Sequence, residues 1–218
     1  MAHVLMRNVD EVAAIDRELM DRANDRGLPY WQALAHFLRG WRMTRMGHPA
    51  TAVDLFQRGL ELWSRTGSRI FRPICLAFLA EAHSAAGQPD LAQRTFGEAV
   101  RIMAGTGERW AEPEVHRLYG DALARIGETA AAVARYERAT AVAREQGSQC
   151  LELRAATSHA RILAEQGRHS EAQDILLPLY GRLQTTCSTP DLIDARDLLD
   201  GKVRAHDSST SLGIPPPV

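Results

Sequence analysis

The chain has 218 residues, with 26 Lys and Arg against 27 Asp and Glu and a formal net charge of −1. Hydrophobic residues make up 45% and charged residues 24%, the range of a globular protein that buries a core. A near-neutral balance with both signs interspersed speaks against nucleic acid or an anionic membrane as the partner.

Residues 1–6 are apolar, but Arg7, Asp10 and Glu11 follow at once. No leader is expected there, and no run approaches the roughly 20 apolar residues of a membrane span. Cys75, Cys150 and Cys187 lie far apart and form no CxxC pair. They read as reduced thiols, with the cytoplasm as the expected location.

The first predicted element is a helix over 8–26, with Val12, Ile15, Leu19 and Ala23 on one stripe. It ends at Gly27, which opens a ladder of glycines 40 residues apart: Gly27, Gly67, Gly107 and Gly147. Gly47, Gly87, Gly127 and Gly167 form a second ladder with the same spacing. Glycine tolerates the left-handed backbone that closes a helix, so each rung marks a helix end. Pro49 and Pro89 follow two residues after a rung and suit the first turn of the next helix. The first helices of the pairs are predicted near 29–46, 69–86, 110–126 and 149–166. The second helices are predicted near 49–65, 89–105, 129–146 and 169–184.

Residues 1–28 are therefore read as the second half of an incomplete repeat. Four repeats follow over 29–188 (29–67, 68–107, 108–147 and 148–188). Thr189-Pro190-Asp191 combines a cap, a proline and an acid, and opens a capping helix over 189–205. The tail 206–218 is Ser/Thr/Pro-rich and expected to be disordered. The predicted fold is all-α, a right-handed α-solenoid of about four 40-residue hairpins.

Small residues recur in phase with the second ladder. Ala52, Ala92, Ala132 and Ala172 come first, then the bulky Phe56, Phe96, Tyr136 and Leu176, then Gly59, Ala99, Ala139 and Leu179. On the preceding helices stand Gly40, Ala80, Gly120 and Ala160. Small residues let two helix backbones approach while a ring fills the gap beside them. The small–aromatic–small rhythm resembles the tetratricopeptide repeat. The proline that usually ends its second helix is absent, since Ser64, Ala104 and Arg144 stand there. A longer second helix follows, in line with 40 residues instead of about 34.

More specific stretches are Gly27-Leu28-Pro29-Tyr30-Trp31 to Trp41, Arg72-Pro73 to Ala82, Thr106 to Trp110 with Glu114 to Gly120, Leu151 to Ala156, and Thr189 to Leu192. In this order they resemble the C-terminal repeat region of large bacterial STAND-type signalling ATPases, which often carry nucleotide-cyclase or winged-helix output domains. The resemblance implies a regulatory role in signal transduction. No GxxxxGK[ST] loop and no cyclase domain occur, so neither activity is carried over and no enzyme is expected. The chain starts inside a repeat and is expected to be the tail of a longer protein or a separated sensor module.

Eight histidines occur without HxxxH or HxxEH spacing, and no GxSxG elbow is present. No metal, cofactor or catalytic residue is predicted. The expected site is a partner-binding concave groove on the first helices: Phe37, Trp41, Ile74, Glu81, Glu114, Arg117, Asp121, Arg154 and Arg161, with Leu34, Ala77 and Thr157 in the same phases. Its character grades from apolar to charged, which suits an acidic-apolar peptide or a neighbouring domain. The alternative is a small-molecule effector whose occupancy controls an NTPase or cyclase elsewhere. Tyr30, Trp31 and Trp63 mark the N-terminal end as a contact for a parent protein or, in a homodimer, a second copy.

Overall fold

A computed structural model describes residues 2–68, 70–184 and 189–202. Cys187, His206 and the tail 206–218 lie outside the described residues. The described chain is all-α: α1 (Ala2–Leu5), α2 (Val9–Asp25), α3 (Pro29–Arg45), α4 (Pro49–Thr66), α5 (Arg72–Ala85), α6 (Pro89–Thr106), α7 (Glu112–Arg125), α8 (Thr129–Glu145), α9 (Gln149–Glu165), α10 (His169–Leu183) and α11 (Pro190–Leu199). None of these helices is long and apolar enough to cross a membrane.

The boundaries follow from local chemistry. Both glycine ladders take left-handed backbone, as at Gly67 with φ 69° and Gly127 with φ 82°. Asn8 caps α2 by accepting from the Glu11 N–H at 3.1 Å, and Thr189 caps α11. With no closing proline, α4 and α6 each reach 18 residues.

Three boundaries differ from expectation. The last helix ends at Leu199, short of the expected 205, because Gly201 turns the chain at φ 72°. The short α1, with Val4 buried, carries too few residues for a periodic signal. The helix expected from 69 starts at Arg72, because Phe71 holds a left-handed φ of 66°. An aromatic residue adopts that backbone only when neighbours hold it there. The Phe71 N–H donates to Glu108 Oε1 at 2.9 Å, and its ring meets Trp110 edge-on at 5.4 Å. Trp110 Nε1 donates to the same carboxylate oxygen at 2.9 Å.

Among the described residues the chain divides into two compact units, one of 2–68 with 82–88 and the other of 70–81 with 89–184 and 189–202. In the first, α2, α3 and α4 pack in sequence. Its interior holds the rings of Phe37, Phe56 and Trp63, with Phe37 and Trp63 edge-on at 5.3 Å. In the second, α7, α8, α9 and α10 pack successively, and α11 lies on α9 and α10. Leu153, Ala160, Leu176 and Leu192 belong to one of its clusters.

The small–aromatic–small positions are the helix contacts. Ala52, Ala92, Ala132 and Ala172 are buried, as are Phe56, Phe96, Tyr136 and Leu176. A Cβ on Gly40 would stand 3.0 Å from the Phe56 ring, and one on Gly59 would stand 3.3 Å from the Ala33 carbonyl oxygen. Glycine at both positions sets how closely α3 and α4 approach.

Candidate functional site

In the first unit, Phe37 and Trp41 are interior residues, 2% and 3% exposed. Phe37 packs on Phe56 and Trp63, and the Arg45 guanidinium covers the Trp41 ring at 5.7 Å. Trp63 is buried as well, so of the aromatic residues expected at the N-terminal end Trp31 is the exposed one. In the second unit Ile74 and Ala77 are fully buried, while Thr157 turns its hydroxyl onto the Leu153 carbonyl at 2.8 Å. The apolar end of the expected stripe is therefore core. The i, i+3, i+4 spacing that selected it describes a packed face as well as an open one.

The charged end assembles into one buried ion network. Arg117 grips Glu114 with Nε and Nη2 at 3.0 and 2.8 Å, and its Nη1 donates to Asp121. Arg154 reaches Glu114 at 3.4 Å and makes a two-pronged pair with Asp191 of α11, both bonds 2.8 Å. The Tyr136 hydroxyl donates to Asp121 Oδ1 at 2.8 Å. Burial opposes the charge of Arg117, but Glu114, Asp121 and Glu81 more than offset it and hold the guanidinium protonated. Burial, then Asp121, pushes the Tyr136 phenol well above its ordinary value.

Glu114 and Arg154 thus hold helices together and face the interior. Glu81, Arg117, Asp121 and Arg161 remain partly accessible. Sequence reasoning missed Asp191 as the partner of Arg154, 37 residues away. It also missed a second polar cluster in α7 and α8. Glu112, at the start of α7, accepts from Arg109 and Arg138, both at 2.7 Å. Beside it the buried His116 has Nδ1 3.5 Å from Arg135 and Nε2 3.8 Å from Glu112.

Burial, reinforced by the positive charge of Arg135, lowers the His116 pKa to about 4. Its folded value lies below the unfolded value of about 6.5, so between those limits the unfolded chain binds the extra proton. Stability attributable to His116 is intact above pH 6.5 and is lost as pH falls toward 4. Burial lowers His36 and His159 in the same direction. A His116→Gln variant is expected to lose stability less steeply from pH 6.5 to 4 in urea titrations. An unchanged slope would show that His116 does not titrate there.

The tetratricopeptide repeat family model matches residues 73–98 and 153–178. Each match runs from a first helix across its turn into the following second helix, and both support a tetratricopeptide region. No curated protein matches the chain. Tetratricopeptide repeats generally mediate protein–protein interaction, and all-helical repeats of this kind are typically non-catalytic. Among the described residues no group of three His, Cys, Asp or Glu side chains is disposed to hold a metal ion.

Proposed function

We propose that this chain is a protein-interaction repeat module that regulates a larger signalling protein by holding a peptide or a neighbouring domain. The observation that carries the proposal is the match of two hairpins to the tetratricopeptide model. The resemblance of Gly27 to Trp41, Thr106 to Gly120 and Thr189 to Leu192 to the repeat region of bacterial signalling ATPases supplies the wider context. The binding face is the first-helix row Glu81, Arg117, Asp121 and Arg161. Its mixed charge favours a partner with both signs on its surface, and Arg161 offers a planar fork to a carboxylate.

Charge reversal at Arg161 tests this, because Arg117 and Arg154 are tied into the interior and would report folding instead. Arg161→Glu is expected to leave the thermal midpoint within about 2 °C and to weaken a captured partner at least about tenfold, the loss of one hot-spot contact. Undiminished capture would remove the first-helix face as the binding site.

A further inference from the structure

The second helices carry a separate open groove. It lies between α8 and α10, has a volume of about 580 Å³, and includes His159 of α9 in its lining. The apolar part is Ala141, Ile175, Pro178 and Leu179.

The polar ends of this groove carry opposite charge. Arg144 and Arg182 stand near the C-termini of α8 and α10. Both turn toward the buried Glu152, at 3.0 and 3.8 Å. Two guanidinium groups therefore share one carboxylate, and about one positive charge is left at that end. Glu137 and Asp174 line the groove nearer the helix N-termini. His159 stands with them, and burial disfavours its charged form. That end carries about two negative charges. Pro178 lies inside α10 and has no N–H to offer the Asp174 carbonyl one turn back. From Glu137 to Arg144 is seven residues, about 10 Å along α8 at about 1.5 Å per residue.

We propose that this groove docks an amphipathic helix of a partner protein, laid antiparallel to α8 and α10. A glutamate of the partner faces Arg144 and Arg182, leucines cover Ile175 and Pro178, and a lysine seven residues after the glutamate faces Glu137 and Asp174. Antiparallel order follows from charge. A helix best carries its acid early and its base late, and that order meets this groove only when the two directions oppose. The apolar centre supplies area and the charged ends supply register. This surface is independent of the first-helix face proposed above.

The test uses the full chain and fluorescein-labelled helical peptides read by anisotropy. One peptide carries Glu, Leu-Leu and Lys at positions i, i+3, i+4 and i+7, and a control has Glu and Lys exchanged. Saturable binding of the first peptide, at least tenfold tighter than the control, is expected. Arg182→Gln and Asp174→Lys, both at exposed positions, should each weaken binding at least tenfold; Arg144 still pairs with Glu152 in the first, so neither should shift the melting curve. Asp174→Lys should recover binding to a peptide whose lysine is replaced by glutamate. Arg161→Glu should leave all these affinities unchanged, which separates failure of this groove from failure of the first-helix face. Equal affinity for the two peptides, no saturable binding, or indifference to both groove variants would each overturn the proposal.

Discussion

Asp191→Ala is expected to lower the stability of the second unit by about 3–5 kcal/mol, the usual consequence of removing one partner from a buried ion pair. Arg154 is buried, and its two-pronged bond to Asp191 fills the fork geometry of the guanidinium. Burial works against the arginine's charge, and Glu114 and Asp191 together more than offset it. Removing Asp191 leaves a charge that cannot be relieved by losing a proton, since arginine stays protonated. Glu114 cannot fully compensate, because it also serves both prongs of Arg117. The damage should begin at α11, which this pair fastens to α9. Hydrogen exchange in α11 is then expected to rise before exchange in α7 or α8. Asp191→Asn, which keeps the shape, should cost less than alanine. Joint replacement of Arg154 by Met and Asp191 by Leu should be close to neutral. Urea unfolding followed by far-ultraviolet circular dichroism measures all of these. A loss under 1 kcal/mol for Asp191→Ala would mean that water reaches the arginine and that the pair is not a closed one.

That pair also shows where sequence reasoning stops. The helices were legible because their ends are constrained at single residues. Left-handed backbone at Gly67 or Gly127 admits few residue types, and the close approach at Gly40 or Gly59 favours small ones. A period of 40 then propagates each local fact to the equivalent position. Burial of charge has no such signature. Glu114, Arg117 and Arg154 sit at helical spacing on polar-looking stretches, and an exposed salt-bridged face has the same composition. Only the fold brings Asp191 across to Arg154. The same holds at the other end of the expected stripe, where Phe37, Trp41 and Ile74 have the spacing of a binding face and are packed inside. The groove on α8 and α10 left one trace in the chain, the proline at 178 inside a helical segment. Its meaning depends on which residues α8 presents opposite it.

Gly120→Ala is expected to destabilise by about 1–3 kcal/mol through overpacking, against the roughly 1 kcal/mol that alanine normally gains over glycine within a helix. A Cβ at Gly120 would stand 2.5 Å from Cε1 and 2.8 Å from Cδ1 of Tyr136. The ring has little room to retreat. It is fully buried, its hydroxyl is held by Asp121, and His159 stacks beside it at 6.4 Å. The following repeat solves the same contact differently. Ala160 and Leu176 occupy the equivalent positions and lie in one apolar cluster. Alanine thus occurs at this position opposite a leucine and, as Ala80 with Phe96, opposite a ring with no anchored hydroxyl. In a Tyr136→Leu background, Gly120→Ala is accordingly expected to become neutral or stabilising. Tyr136→Ala should cost about 3–5 kcal/mol, since it empties the ring's volume and removes a donor from Asp121. A double-mutant cycle on Gly120 and Tyr136 should give a coupling of about 1–3 kcal/mol, the size found for residues in direct contact. If Gly120→Ala stabilises the protein in both backgrounds, the glycine is not what lets α7 approach α8. The small–aromatic pairing would then be a consequence of the packing and not its cause.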